Sequence, residues 1–240
     1  MIAVLLVLRL VTGSPSNPAV RDPLSPGSLA ALSSVPISAL VGQDPGVKPP
    51  SSILKTAPAL SSDGKPEILY IGAEYCPYCA AERWPLVMAL SKFGTFSNLA
   101  SSRSSASDTY PNTPTFTFYG SSYSSPYVTF TPVEIKDRAG NTLQRPTSMQ
   151  SHLLTGYGYR GGIPFIYLAG RYVVLGAQYD GSRLSGVTFN NALADITSGT
   201  DATARAVRAA AGQLVQALCS ITGDRPASAC ASVQTPDPAT

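Results

Sequence analysis

The chain predicts an α/β fold, one domain preceded by an irregular N-terminal arm. Three observations carry that expectation. A short β-rich apolar run, "PEILYIG", occupies 66–72. It turns into helix-forming sequence just where Cys76 and Cys79 stand, with Pro77 and Tyr78 between them. Far downstream, two apolar runs flank "AGR" in "IPFIYLAGRYVVLGAQY", a hairpin signal, and helical sequence follows.

The arm comes first. Ile2 to Leu8 is purely apolar, too short for the roughly 20 residues that span a bilayer and without the basic stretch of a complete signal peptide. Residues 1–12 are therefore expected to be the remnant of an export signal or membrane anchor whose start lies upstream of Met1. A frayed apolar end is the alternative. Residues 13–64 are dense in Ser, Pro, Ala and Gly with little periodicity, as in an extended linker or docking arm. The compact body, 65–222, starts near Lys65.

In that body, 66–72 is a strand buried on both faces, since apolar residues run without alternation. A helix should begin around Cys76 or Pro77, because proline suits a first helical turn. Trp84, Val87, Met88 and Leu90 form its core stripe and Gly94 its stop. Pro85 should kink it, since proline removes a helical hydrogen bond. "SNLASSRSSASDTYPNTP" is expected to be loop, "TFTFYG" a second strand and "YVTFTPVEIKD" a third. A short helix is expected in "TSMQSHLLTGYGYRGG", then the hairpin, a helix in "LSGVTFNNALADITS" and a long one in "DATARAVRAAAGQLVQALCSITG". Residues 223–240 should be a loose tail.

Composition narrows the function classes. Charged residues are 13% of the chain, half the usual share, while 44% are hydrophobic, enough for a real core. The net charge of +3 is scattered, so no footprint for nucleic acid exists. A weakly charged polar surface is common in exported proteins.

The cysteines carry the chemistry. A structural zinc site wants four ligands, and one knuckle, one histidine (His152) and two cysteines with ten residues between them do not supply them; no metal and no cofactor is expected. A permanent bridge across Cys76 and Cys79 closes a tiny loop and gains little from chain entropy. Redox exchange has a mechanism: free N–H groups and the dipole at a helix N-terminus favour a thiolate. Cys76 would stand at that exposed end and attack. Cys79, one turn later on the same face and more buried, would resolve the mixed disulfide. Glu74, Glu82 and Arg83 are candidates for tuning the thiols, against plain surface or salt-bridged roles in which Arg83 pairs with Glu82. Tyr75 and Tyr78 should line a partly apolar docking surface. Cys219 and Cys230 suit a structural disulfide closing a loop of about a dozen residues, worth roughly 3 kcal/mol. Such bridges persist in oxidising compartments.

"CPYC" together with "IP" before the hairpin resembles the thioredoxin superfamily, whose glutaredoxins often carry the same centre. The resemblance covers about 67 to 198. It implies a thioredoxin-like fold in which the Ile163–Pro164 bond is cis and lies against the cysteine pair, its backbone holding substrate, with Gly161 and Gly162 allowing the turn. Two departures stand out: "EILYIG" lacks the buried acid of thioredoxin's strand, and "FIYLAGRYVVLG" lacks glutaredoxin's glutathione signature. The spacing from Cys79 to Pro164 implies an insertion around 98–145.

"YIGAEYCPYCAAERWPLVMALSKFGTF", "YPNTPTFTFYGSSYSSPYVTF" and "PFIYLAGRYVV" look like the domain of unknown function 929 family of prokaryotic proteins, over roughly 35 to 218. That resemblance implies a thioredoxin-like fold and often an N-terminal membrane segment, with no established substrate. The expectation is an extracytoplasmic thiol–disulfide oxidoreductase, an enzyme that is membrane-anchored or secreted. It would exchange disulfides with protein thiols and be reset by an unidentified membrane redox partner. The alternative is a non-catalytic binding or assembly module with Cys76 and Cys79 permanently bridged.

Overall fold

The computed structural model describes residues 21–42, 44–53 and 57–233. The expected export remnant at 1–12 lies outside the described residues, as does the end of the tail.

The described part of the arm is not a free linker. It holds β1 (Asp22–Pro23), α1 (Pro26–Ser34), β2 (Ser51–Ser52) and β3 (Ser61–Ser62). Leu32, Val35, Leu40 and Val47 are buried in the main core. β1 pairs with a strand of the insertion and β2 with the hairpin, so the arm wraps the domain that follows it.

β4 (Lys65–Gly72) leads into α2 (Pro77–Leu90). The insertion contributes β5 (Thr95–Ser97), β6 (Ala100–Arg103), β7 (Pro114–Thr117) and β8 (Ser122–Ser124) before β9 (Thr129–Glu134). β6 corrects the expectation of loop there; its polar residues pair on both sides, with β1 and with β7. Then follow α3 (Ser148–Tyr157), β10 (Phe165–Leu168), β11 (Tyr172–Leu175), α4 (Phe189–Ser198), α5 (Ala202–Thr222) and α6 (Ala227–Cys230). The architecture is mixed α/β.

β4 is the centre of the main sheet. It runs parallel to β9 on one side and antiparallel to β10 on the other, and β11 and β2 continue beyond β10. Because strand side chains alternate, each strand feeds two cores. Ile68, Tyr70, Ile166, Leu168 and Val174 face a large core with α2 and α5. Leu69, Ile71, Phe165, Tyr167 and Val173 face a smaller one that α3 closes with Leu153. That double burial is why "EILYIG" and "FIYL" are continuously apolar.

Turn chemistry fixes the joints. Ala169 and Gly170 both take positive φ, 49° and 79°, the geometry of a tight two-residue hairpin between β10 and β11. α3 opens on a capping box, with Thr147 and Gln150 each satisfying the other's backbone N–H. Gly223, at φ 64°, ends α5.

α2 departs from expectation at its end. It stops at Leu90, before Gly94, and Tyr123 Oη donates to the Leu90 carbonyl at 2.9 Å. Gly94 serves close approach instead: a Cβ there would lie 2.3 Å from the Ser124 carbonyl. Pro85 is accommodated within one continuous helix. The carbonyl it strips of a partner, Ala81, accepts from Tyr179 Oη at 2.8 Å.

Candidate functional site

Cys76 is the N-cap of α2. Its extended backbone turns the side chain back, so that Sγ accepts from the Cys79 N–H at 3.3 Å. The helix start that the sequence places at residue 76 or 77 thus puts a sulfur where Ser or Asp usually caps. An orphan amide and the dipole both face it.

The thiols are unbridged and close-packed. Cys79 is fully buried and Cys76 only 5% exposed, in a cluster with Ala73, Tyr75, Ile135 and Ile163. This corrects the expectation of an exposed Cys76: capping draws its sulfur inward, and two isoleucines from different segments roof it. Tyr78 marks the rim, 42% exposed and edge-on to Tyr110 from the insertion. Tyr75 is half-buried, and its carbonyl accepts from the Ser105 N–H at 2.8 Å. The insertion therefore grips the loop that carries the cysteines.

Ile163 and Pro164 come back to this point from 87 residues away. Their peptide bond is cis, and the Ile163 carbonyl oxygen lies 3.9 Å from Cys76 Sγ. Of the two glycines before them only Gly161 takes positive φ, 74°; Gly162 is extended, and Arg160 takes the other left-handed position at 50°.

The two sulfurs are driven apart in acidity. The Cys79 thiol, hydrogen-bonded to Cys76, pulls the Cys76 pKa below the ordinary thiol value. Burial opposes this, while the Cys79 N–H, Arg83 and the Tyr78 N–H add to it. Burial pushes Cys79 well above the ordinary value, and its bond to Cys76 pushes the same way; Arg83 opposes. One thiol is thus the early thiolate and the other the proton-bearing partner.

The three candidate tuning residues separate. Glu74 is buried, not a surface acid. Arg21 of the arm donates to both its oxygens, at 2.8 and 3.1 Å, and Thr117 Oγ1 donates at 2.6 Å. Glu82 is fully buried and turned toward the hairpin, where Oε2 accepts from the Gln178 N–H at 2.9 Å. Its pKa is raised by burial to about 8. The expected Arg83–Glu82 pair is absent. Arg83 instead makes two bonds to Glu134 at the end of β9, Nε to Oε1 at 3.0 Å and Nη2 to Oε2 at 2.8 Å. Nη2 also donates to the Ala73 carbonyl at 2.9 Å, beside the thiols. Neighbouring positions on a helix are turned about 100° from each other, and here Glu82 faces the hairpin side while Arg83 faces β9 and the thiol loop.

Glu134 is the site residue that sequence reasoning missed. It stands in "TPVEIKD", an acid inside an apolar strand, and a buried arginine in α2 implies a buried acid somewhere. Nothing local identifies which one.

Cys219 and Cys230 are bonded, with Cα atoms 5.6 Å apart, tying α6 to α5. His152 is exposed on α3. Among the described residues no group of three or more His, Cys, Asp or Glu is placed to hold a metal ion, and no helix is long and apolar enough to cross a membrane.

No curated protein and no solved structure matches the chain. Residues 54–156, which include Cys76, Cys79 and the whole insertion, match the family described as Domain of unknown function (DUF929).

Proposed function

We propose that the protein is a thioredoxin-like thiol–disulfide oxidoreductase that exchanges disulfides with protein thiols. The observation that carries this reading is the Cys76 sulfur: it caps α2, accepts the Cys79 N–H and faces the Ile163 carbonyl next to a cis proline. The finer fold reading is supported by the order of parts, with β4 leading into the cysteine helix and the proline strand β10 beside it.

In the reductive direction the Cys76 thiolate attacks one sulfur of a substrate disulfide, and the other substrate sulfur leaves as a thiolate. Cys79 then loses its proton and attacks Cys76 Sγ. The Cys76–Cys79 disulfide forms, the second substrate sulfur departs, and two electrons have passed to the substrate. The oxidative direction is the reverse. Which one prevails depends on the reduction potential. Tyr75 and Tyr78 border the thiols and would meet the substrate chain.

An extracytoplasmic setting is part of the proposal and is supported by the bonded Cys219–Cys230 pair. A membrane redox partner would then restore the active cysteines, and an N-terminal tether would hold the domain near it.

The test is catalysed insulin reduction together with equilibration of Cys76–Cys79 in graded redox buffers. Turnover should vanish in Cys76→Ser, and Cys79→Ser should accumulate a mixed disulfide with substrate. The low exposure of Cys76 favours a second reading, a non-catalytic module. No turnover in either direction, with a potential far below that of glutathione, would establish that module and overturn the enzyme.

A further inference from the structure

Exchange leaves one problem unsolved by the residues discussed so far. Cys79 must ionise before it can attack, yet it is fully buried among Ala73, Cys76 and partly buried apolar side chains. Glu82 is turned away, its carboxyl Oε2 accepting from the Gln178 N–H on the hairpin side.

Arg83 is placed otherwise. It follows Cys79 by four residues, so the two share one helix face with Cβ atoms about 6 Å apart. Its side chain is fully buried, and Nη2 reaches the Ala73 carbonyl that adjoins the thiols. Nη1 has no hydrogen-bond partner among the described residues, and the same holds for Tyr70 Oη, whose ring lies 5.7 Å from the guanidinium carbon. An unpaired buried donor is costly unless some state of the protein uses it. The groups that face this pocket are Cys76 and Cys79 from α2, Tyr70 from β4 and Glu134 from β9.

We propose that Arg83 is the positioning residue of the resolving step: its fixed charge stabilises the Cys79 thiolate, and Glu134 both holds it in place and limits its strength. This rests on the oxidoreductase reading. In the step, Cys79 gives its proton to solvent and its thiolate attacks Cys76 Sγ of the mixed disulfide. The sulfur–sulfur bond to substrate breaks, and the substrate leaves as a thiolate that takes up a proton. Glu134 tempers the effect because a buried carboxylate next to Arg83 partly cancels the field at the sulfur.

The test uses the full chain and an aromatic disulfide, 5,5′-dithiobis(2-nitrobenzoate), whose reaction releases a coloured thiolate twice. The first release reports attack by Cys76 and the second reports resolution by Cys79. Arg83→Gln combined with Glu134→Gln removes both charges, leaving a near-isosteric amide at 134 and a shorter one at 83. It should slow the second phase at least about threefold at neutral pH. A one-unit rise in pKa removes about nine-tenths of the thiolate, and greater intrinsic nucleophilicity offsets part of that loss. Glu134→Gln alone keeps Arg83 charged and should speed the second phase. Arg83→Lys should stay nearer wild type than the double variant. In a Cys76→Ser background, the Cys79 titration should move up in the double variant and down in Glu134→Gln.

Opposite signs are the signature of charge; mere loosening of the core would move both variants the same way and would overturn the proposal. A normal first phase with an unchanged second phase in the double variant would overturn it alone. Absence of the first phase in the wild-type protein would overturn the oxidoreductase reading and this inference with it.

Discussion

Tyr179 donates its phenolic hydrogen to the carbonyl of Ala81 at 2.8 Å, across from the loop that follows the hairpin into the middle of α2. In an unbroken helix that carbonyl would be bonded by the N–H of residue 85, which is a proline. One turn of the cysteine helix is thus completed from outside. Thr115 Oγ1 of β7 supports the preceding carbonyl, Ala80, at 2.8 Å, and Trp84 Nε1 donates to Pro114 at 2.9 Å. The helix that carries the cysteines is held in place by the insertion on one side and the hairpin loop on the other.

Tyr179→Phe should therefore destabilise the protein by about 1–3 kcal/mol, the cost of a buried carbonyl left without a donor. The same change made with Pro85→Ala should cost less, because residue 85 then supplies an N–H to Ala81. A double-mutant cycle of denaturant midpoints checks this. Additive effects would show that Tyr179 acts through packing alone.

The rate at which iodoacetamide alkylates Cys76 should rise with pH through an inflection below the ordinary thiol value. The sign follows from the reactive species: only the thiolate attacks, and its fraction grows as pH passes the lowered pKa. Cys79 should stay unmodified over the same range, since burial holds its proton to higher pH. Mass spectrometry of the alkylated peptide separates the two. Removing the Cys79 thiol in Cys79→Ala should shift the Cys76 inflection upward, because that thiol is the largest influence lowering it.

Cys219→Ser with Cys230→Ser should lower stability by roughly 3 kcal/mol, the chain-entropy value for so short a loop. Both sulfurs are buried, and Ala229 of α6 and Val233 just beyond it pack in the main core. The loss should therefore appear as earlier proteolysis after residue 222 together with a lower urea midpoint. The same drop should follow when the wild-type protein is unfolded under reductant.

The parts of this molecule that could be read from sequence are those whose cause is local. Cys76 at a helix start, proline at the first helical position, the Ala169–Gly170 turn and the continuous apolar strands each follow from a few neighbouring residues. The arm was harder: Leu32, Val35 and Leu40 are core residues, but they lie in short Ser- and Pro-rich segments too brief to show a period. β6 reads as loop because its polar residues gain partners only when β1 and β7 arrive from other parts of the chain. Arg83 met the same limit, since its partner Glu134 lies 51 residues away and was not distinguishable from a surface acid. Glu82 and Glu74 were legible as groups near the thiols. Their burial, and the fact that they turn to Gln178 and Arg21, depends on the tertiary fold.

Glu82 supplies the remaining prediction. Burial raises its carboxyl from 4.5 to about 8, and its Oε1, like Gln178 Oε1, has no partner among the described residues. In the unfolded chain the group ionises near its ordinary value; in the folded protein it keeps its proton until about pH 8. The unfolded state therefore binds fewer protons between those two points, and stability must fall as pH rises across that window, by up to about 1.4 kcal/mol per pH unit. Glu82→Gln removes the titration while keeping an oxygen to accept the Gln178 N–H. Its stability should be nearly flat from pH 5 to about pH 8 and should exceed wild type at the upper end. Urea midpoints of both proteins at several pH values check this, and parallel curves would mean that Glu82 is ionised in the fold. The same variant should leave the alkylation profile of Cys76 in place, because the carboxylate faces the hairpin rather than the sulfurs.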